Sequence, residues 1–200
     1  MDKLLELFTS SVTAFGDRVH AVREGQWGAP TPDTDWSVAD LVGHLIEEQQ
    51  WVPPLLDGLD LDAAGKIVAG TRDLPVEGGV GANLAQVWDE AAIGSLDAFA
   101  RPGALDRQVH LSRGLTPARG YLGELIIDLV VHGWDLGAAI EYPEPLPSDA
   151  VSYAYEQVSV AGDMSGYGLF EPPVEVPESA SLQGKLIGLT GRNPAWSSPG

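Results

Sequence analysis

Cysteine is absent from the 200 residues of this chain. Disulfides, zinc–thiolate sites, iron–sulfur clusters held by its own thiolates and cysteine nucleophiles are all excluded. Thiol chemistry would have to bring its thiol from outside. A metal ion would have to be held by His, Asp, Glu and water. Positive charge is also scarce. Eleven Lys and Arg face 29 Asp and Glu, a net charge of −18. That excess argues against nucleic acid and anionic membrane surfaces, which call for basic patches. It is spread along the chain without a long acidic block, as expected of a solubilising surface.

Long apolar runs are missing too. The strongest, Leu125–Val131, is broken by Asp128 and is far short of the roughly 20 residues that span a bilayer. The N-terminus places Asp2, Lys3 and Glu6 in an amphipathic pattern, unlike a signal peptide. The expected location is the cytoplasm. Apolar residues make up 44% of the chain, enough for a real core.

What is present is mainly helical periodicity. Apolar steps of three and four predict a helix over Leu4–Glu24, followed by a Pro- and Gly-rich loop to Asp35. Asp35 or Ser37 can cap a second helix, with Asp40 three residues after Ser37 as an acidic capping box. Pro53-Pro54 should kink or stop that helix, which is expected to end near Trp51. Residues 57–80 offer at most one short helical turn. Gly81–Ala100 reads as a third helix, and Arg101–Leu115 as an excursion or short strand. Thr116-Pro117 suits the N-cap and first position of a fourth, very apolar helix ending near Ile140. A fifth helix is expected over Ser148–Met164, with Val151, Tyr155, Val158 and Val160 facing inward. Ser165–Pro177 should be irregular, Ser179–Thr190 a short closing helix and Gly191–Gly200 a tail. The expectation is an all-α fold built on an antiparallel four-helix bundle. The bundle should occupy residues 1–165, with 166–200 as a C-terminal extension packed on it. Pairing of two copies through an exposed helix face is compatible with this reading.

One constellation stands out. Asp128 and His132 are four apart on the fourth helix and project to the same side. A carboxylate among Ile126, Ile127, Leu129 and Val130 is costly unless a partner offsets its charge. His44 offers a third group from the second helix, and Glu48 lies one turn beyond it. Neighbouring helices approach to about 8–10 Å between axes, so these groups can meet. Three N/O ligands with an open position suit a catalytic divalent ion. Zinc is the first choice, with nickel, iron or manganese also tolerated. The plain alternative is a buried Asp–His hydrogen bond pinning two helices. His20 reads as a surface residue. His110, alternating with Val109 and Leu111, could reach a pocket. Trp36 and Trp134 read as packing residues that could instead wall a site. Asp135 could orient a ligand or be a surface carboxylate.

Three stretches carry a family resemblance. Thr34–Leu45 is similar to a W-x-V-x-D-L-x-x-H segment, Asp128–Ala139 to H-x-W-D-L-A-x-A, and Leu186–Trp196 to a closing G-R-x-P-x-W. On these the chain resembles the DinB-like superfamily. Within it, the likeness is to actinobacterial metal-binding proteins related to the N-terminal domain of mycothiol-dependent maleylpyruvate isomerase. The resemblance implies a DinB-like four-helix bundle with a central metal held by His44, a carboxylate at position 128, and His132. The isomerase branch has Glu at that position, where this chain has the shorter Asp128. It also implies a low-molecular-weight, mycothiol-like thiol as co-substrate and a small electrophile as substrate. The reaction would be isomerisation or thiol transfer, with Arg192 and His110 as candidates for substrate contact. Arg192 could equally salt-bridge the fold. The isomerase's separate C-terminal domain is expected to have no full copy in the short tail. A non-enzymatic metal- or ligand-binding bundle is the competing function.

Overall fold

The structure is a computed structural model. It describes residues 2–33, 35–72, 79–163, 165 and 170–198, with side chains at 70–72 and 79–82 outside the description. The elements are α1 (Lys3–Ala21), α2 (Val38–Leu56), α3 (Leu61–Arg72), α4 (Gly79–Ala100), β1 (Gln108–Leu111), β2 (Gly114–Pro117), α5 (Ala118–Ile140), α6 (Ser148–Ala161) and α7 (Leu182–Leu189). Helices α1, α2, α4 and α5 form the antiparallel bundle. In it α2 packs on α4 and α5, and α1 packs on α5 and α4. Helix α3 lies on α2, α6 on α5 and α1, and α7 on α6.

Aromatic side chains fill the bundle. Phe8 meets Phe99 edge-on at 5.4 Å, Phe15 lies 4.6 Å from Trp88, and all four are essentially inaccessible to solvent. No helix among the described residues is long and apolar enough to cross a membrane.

Local chemistry explains the starts of the elements that carry the site. Ser37 caps α2: its Oγ accepts from the Asp40 N–H at 3.3 Å, while Asp40 Oδ2 accepts from the Ser37 N–H at 3.0 Å. Such a cap contributes about 1 kcal/mol. It also fixes the approach of the preceding segment, where Thr31 N–H donates to Trp36 O. Trp36 is thereby held at the head of α2.

Several sequence expectations are corrected. Helix α2 runs through Pro53 and Pro54 to Leu56, because both prolines fall in its last turn, where the Asp57 N–H still reaches Pro53 O. Residues 61–72 are a full helix rather than a turn. Asp60 Oδ1 accepts from the Ala63 N–H, and Ala64 and Val68 are buried one turn apart. The excursion after α4 is a two-stranded hairpin, with Leu111 paired to Gly114 and Gln108 to Pro117. Thr116 therefore belongs to β2. Its hydroxyl bonds Gly114 O, and Pro117 takes the N-cap place of α5. Helix α6 starts after Pro147, making Ser148 its first residue rather than its cap, and Val160 is 89% exposed rather than inward. The same helix ends at Ala161, with Gly162 as its C-cap at positive φ, short of the expected Met164. Met164 itself and residues 166–169 of the stretch expected to be irregular lie outside the described residues.

Candidate metal centre

Helices α2 and α5 bring His44, Asp128 and His132 together. One ligand atom from each lies within 4.8 Å of the others. Asp128 Oδ2 is 3.4 Å from His44 Nε2, and Asp128 Oδ1 is 3.4 Å from His132 Nε2. The two imidazole rings stand edge to face, 5.3 Å apart and inclined by 76°. Trp36 covers both of them, at 4.7 Å from His44 and 5.4 Å from His132. The packing role expected of Trp36 is thus a wall of the site. Trp134, by contrast, packs partly buried against the core.

The electrostatics are those of a tightly held charge cluster. Burial alone would raise the Asp128 carboxyl, but the His132 and His44 rings hold it well below the usual carboxylate range. Burial would likewise depress His132, yet the carboxylates of Asp128 and then Asp135 outweigh it and push the ring up to about 9. Glu48 lies outside the three-ligand group. Burial first, then the Asp128 charge, pushes its carboxyl up to about 7.

Asp135 is fully buried, and its Oδ2 lies 3.0 Å from His132 Nδ1. An ionised carboxylate only accepts, so Nδ1 carries the proton of this bond. When His132 is neutral, its Nε2 lone pair then faces Asp128 and His44. Arg192 anchors Asp135 in turn. Its Nε donates to both Asp135 oxygens at 3.3 Å, and Nη2 donates to Asp135 Oδ2 at 3.1 Å and to Asp33 Oδ2 at 2.7 Å. Nη1 donates to Thr190 O at 2.9 Å.

Do these residues fit a divalent ion? Asp128 Oδ2 is shut off from solvent and has no hydrogen-bond partner. An orphaned carboxylate oxygen between two imidazole nitrogens matches the hard and borderline donors that zinc prefers. A second group, Asp33, His132 and Asp135, also converges within 4.8 Å. There the Arg192 guanidinium already supplies the positive charge. The Nε2 side of His132 is therefore the side that fits an ion.

A cleft of about 660 Å³ opens over the cluster, lined by Asp33, Trp36, Phe170, Glu171 and Arg192 as well as the three candidate ligands. Arg192 reaches the site, but its donors are turned to Asp135, Asp33 and Thr190 rather than presented as an open fork. His110 does not reach it. The two-residue period of β1 buries Val109 and sends His110 to solvent. His20 is a surface residue, bonded to Asp89 at 2.9 Å. Asp33, Phe170 and Glu171 carry no pattern that singles them out in sequence; only the fold brings them here.

A helical bundle with two imidazoles and a carboxylate converging between two of its helices defines the class of this molecule. The chain belongs to the family described as "Mycothiol maleylpyruvate isomerase N-terminal domain", whose match covers residues 8–137. An uncharacterized protein of Mycobacterium tuberculosis, found in two strains, is 30% identical over 128 residues. The match covers 63% of this chain and spans 61% of the length of that relative. Among solved structures, the mycothiol-dependent maleylpyruvate isomerase superposes with a TM-score of 0.69 at 15% identity, over 98% of this chain and 91% of that one. A histidine-to-alanine mutant of that enzyme superposes with the same TM-score at 13% identity, over 96% and 89%. The superposition therefore reaches beyond residues 8–137, which the family model matches.

Proposed function

We propose that this chain binds one divalent ion, zinc in first place and nickel in second, through His44 Nε2, His132 Nε2 and the Asp128 carboxylate. We further propose that it uses the site in a thiol-dependent isomerisation or S-transfer on a small electrophile. The observation that carries the reading is the convergence of these three groups under an open cleft, with Asp128 Oδ2 shut off from solvent and making no hydrogen bond. When bound, such an ion supplies Lewis acidity that lowers the pKa of a thiol at neutral pH.

The chain's own residues do the rest. Asp135 keeps the proton of His132 on Nδ1. Arg192 holds Asp135 in place. Trp36 packs against both rings and walls one side of the site. With no cysteine of its own, the protein presents no thiol to compete with the incoming one. The reading places this chemistry in the cytoplasm, where small thiols are kept reduced. The family to which the chain belongs and the fold it shares with a mycothiol-dependent isomerase support the reading.

The test is metal analysis of protein purified without added metal, together with turnover of thiol-plus-electrophile panels before and after chelation. Near-stoichiometric metal in the wild type, a large loss in His132→Ala and chelator-sensitive turnover are expected. Equal metal in both proteins would remove the ligand assignment. Metal without any thiol-dependent turnover would leave a bundle that the ion only stabilises, by binding the folded state alone.

A further inference from the structure

The charge of the cleft narrows the second substrate, an argument that rests on the proposed metal and thiol reading. Four carboxylates, those of Asp33, Asp35, Asp128 and Glu171, line the cleft, and Arg192 is the single Lys or Arg among its described lining residues. Arg192 is not a free anion receptor. It is 6% exposed, and four of its N–H groups make five donations, to Asp135, Asp33 and Thr190. A guanidinium has five N–H groups, so one is left. Asp135, buried behind the site, adds a fifth negative charge. A divalent ion together with the guanidinium would still leave carboxylates in excess.

The adjoining cleft of about 520 Å³ shares Trp36 and His44 with the first and continues the same sign. It is lined by Asp40 and Glu47, with no Lys or Arg among its described lining. In sequence, residues 166–169 beside Ser165 and Phe170 are Gly, Tyr, Gly and Leu, with no cation among them. The remaining surfaces of the larger cleft are flat and unsaturated or apolar, chiefly Trp36, Phe170, Pro32 and Pro172. Phe170 also lies over the Arg192 guanidinium, 5.9 Å from ring centroid to Cζ.

We infer that this site takes an electrophile without net negative charge, an uncharged unsaturated carbonyl or ester, rather than a dicarboxylate such as the maleylpyruvate named for the solved isomerase. An incoming dianion would face excess like charge inside a partly enclosed cleft, where solvent screens it poorly. An uncharged conjugated skeleton lies against Trp36 and Phe170 without that cost.

The experiment titrates two probes of like carbon skeleton, maleate and its uncharged dimethyl ester, by calorimetry into the zinc-supplemented 200-residue chain. The ester is expected to bind at least about tenfold more tightly than maleate at low ionic strength. Added salt should narrow the gap, because it screens the repulsion of the dianion. In the Asp35→Asn Glu171→Gln variant, which leaves the Arg192–Asp33–Asp135 network in place, maleate should gain about tenfold while the ester changes little. Equal or tighter binding of maleate by the wild type overturns the inference, and so does an ester that does not bind. Zinc content measured on the same samples separates the two readings. Zinc retained with maleate preferred removes the charge selectivity and leaves the metal reading standing. Zinc absent from the wild type removes the metal reading, and the two probes then read the charge of the cleft on the metal-free chain.

Discussion

His132 and Asp135 form a buried pair three residues apart on α5, with Nδ1 and Oδ2 separated by 3.0 Å. The pair sets which nitrogen of His132 is left for an ion, and Arg192 from beyond α7 keeps the pair in register. Carboxylates that orient a ligating imidazole typically contribute 10–100-fold to metal affinity. Asp135→Asn should therefore lower zinc affinity by about that range, read by competition against a chelator, while helical content is kept. Asp135→Ala should additionally destabilise the fold by about 3 kcal/mol, because it removes the buried one of the two carboxylates that pair with the Arg192 charge. Unchanged zinc affinity in Asp135→Asn would mean that the pair only holds the fold.

The candidate ligand at 128 can be tested by chain length. Asp128→Glu keeps the carboxylate and moves it one methylene further from the backbone, and it should keep stoichiometric zinc. Asp128→Asn, which retains shape but loses charge, should lose at least about tenfold in affinity. Inductively coupled plasma measurement on both variants decides this. Loss of zinc in Asp128→Glu alone would show that the spacing of this chain is tuned to the shorter side chain.

The metal-free chain should lose stability as pH rises from about 4.5 to 9. Glu48 is a carboxyl raised from its usual value to about 7. It binds its proton more tightly when folded, so its contribution is lost as pH climbs through that value. His132 is raised to about 9, so its pairing with Asp128 and Asp135 is fully present below about 6.5 and fades through 9. Asp128 is depressed, so its contribution is lost only at acid pH, below its unfolded value. Chelator-treated protein melted across this range should show a falling Tm. Metal uptake near neutral pH should release a proton from His132, seen as a buffer-dependent calorimetric heat. A flat Tm between pH 5 and 9 would contradict these assignments.

Gly191 packs against the Glu171 backbone, next to Arg192 at the site. Its φ is +79°, and a Cβ there would lie 2.6 Å from Glu171 O. Both the left-handed backbone and the backbone-to-backbone approach exclude a side chain. Gly191→Ala should cost about 1–3 kcal/mol and displace Arg192, its neighbour, from Asp135. Thermal melts together with zinc affinity check it. A variant that is destabilised but binds zinc normally would separate the extension from the site.

Much of the bundle was legible because helical periodicity is a local property. Leu4 to Val22, His44 among Val42 and Leu45, and the Ser37–Asp40 cap all announce themselves within a few residues. Asp128 and His132 were legible for the same reason, since four residues make one turn. Helix α3 was not, because Gly65 and Gly70 lower its propensity and its burial comes from packing on α2, with Trp51 fitting over Gly65. The end of α2 is not legible either, because Pro53 and Pro54 break helices in their interior but are tolerated in a last turn, where few backbone bonds remain.

The sequence by itself determined the kinds of donor available, the absence of thiols, the acidic balance and the turn-by-turn spacing of Asp128 and His132. Only the tertiary structure decided that Trp36 lies across both imidazoles, that Asp135 is buried beneath His132, and that Arg192 spends its donors on Asp135 and Asp33 while His110 faces solvent. The reason is physical. Periodicity says which residues share a face of one helix. Burial, charge pairing and the choice of neighbour depend on how separate elements pack, and residues 33, 135 and 192 meet only once that packing is complete.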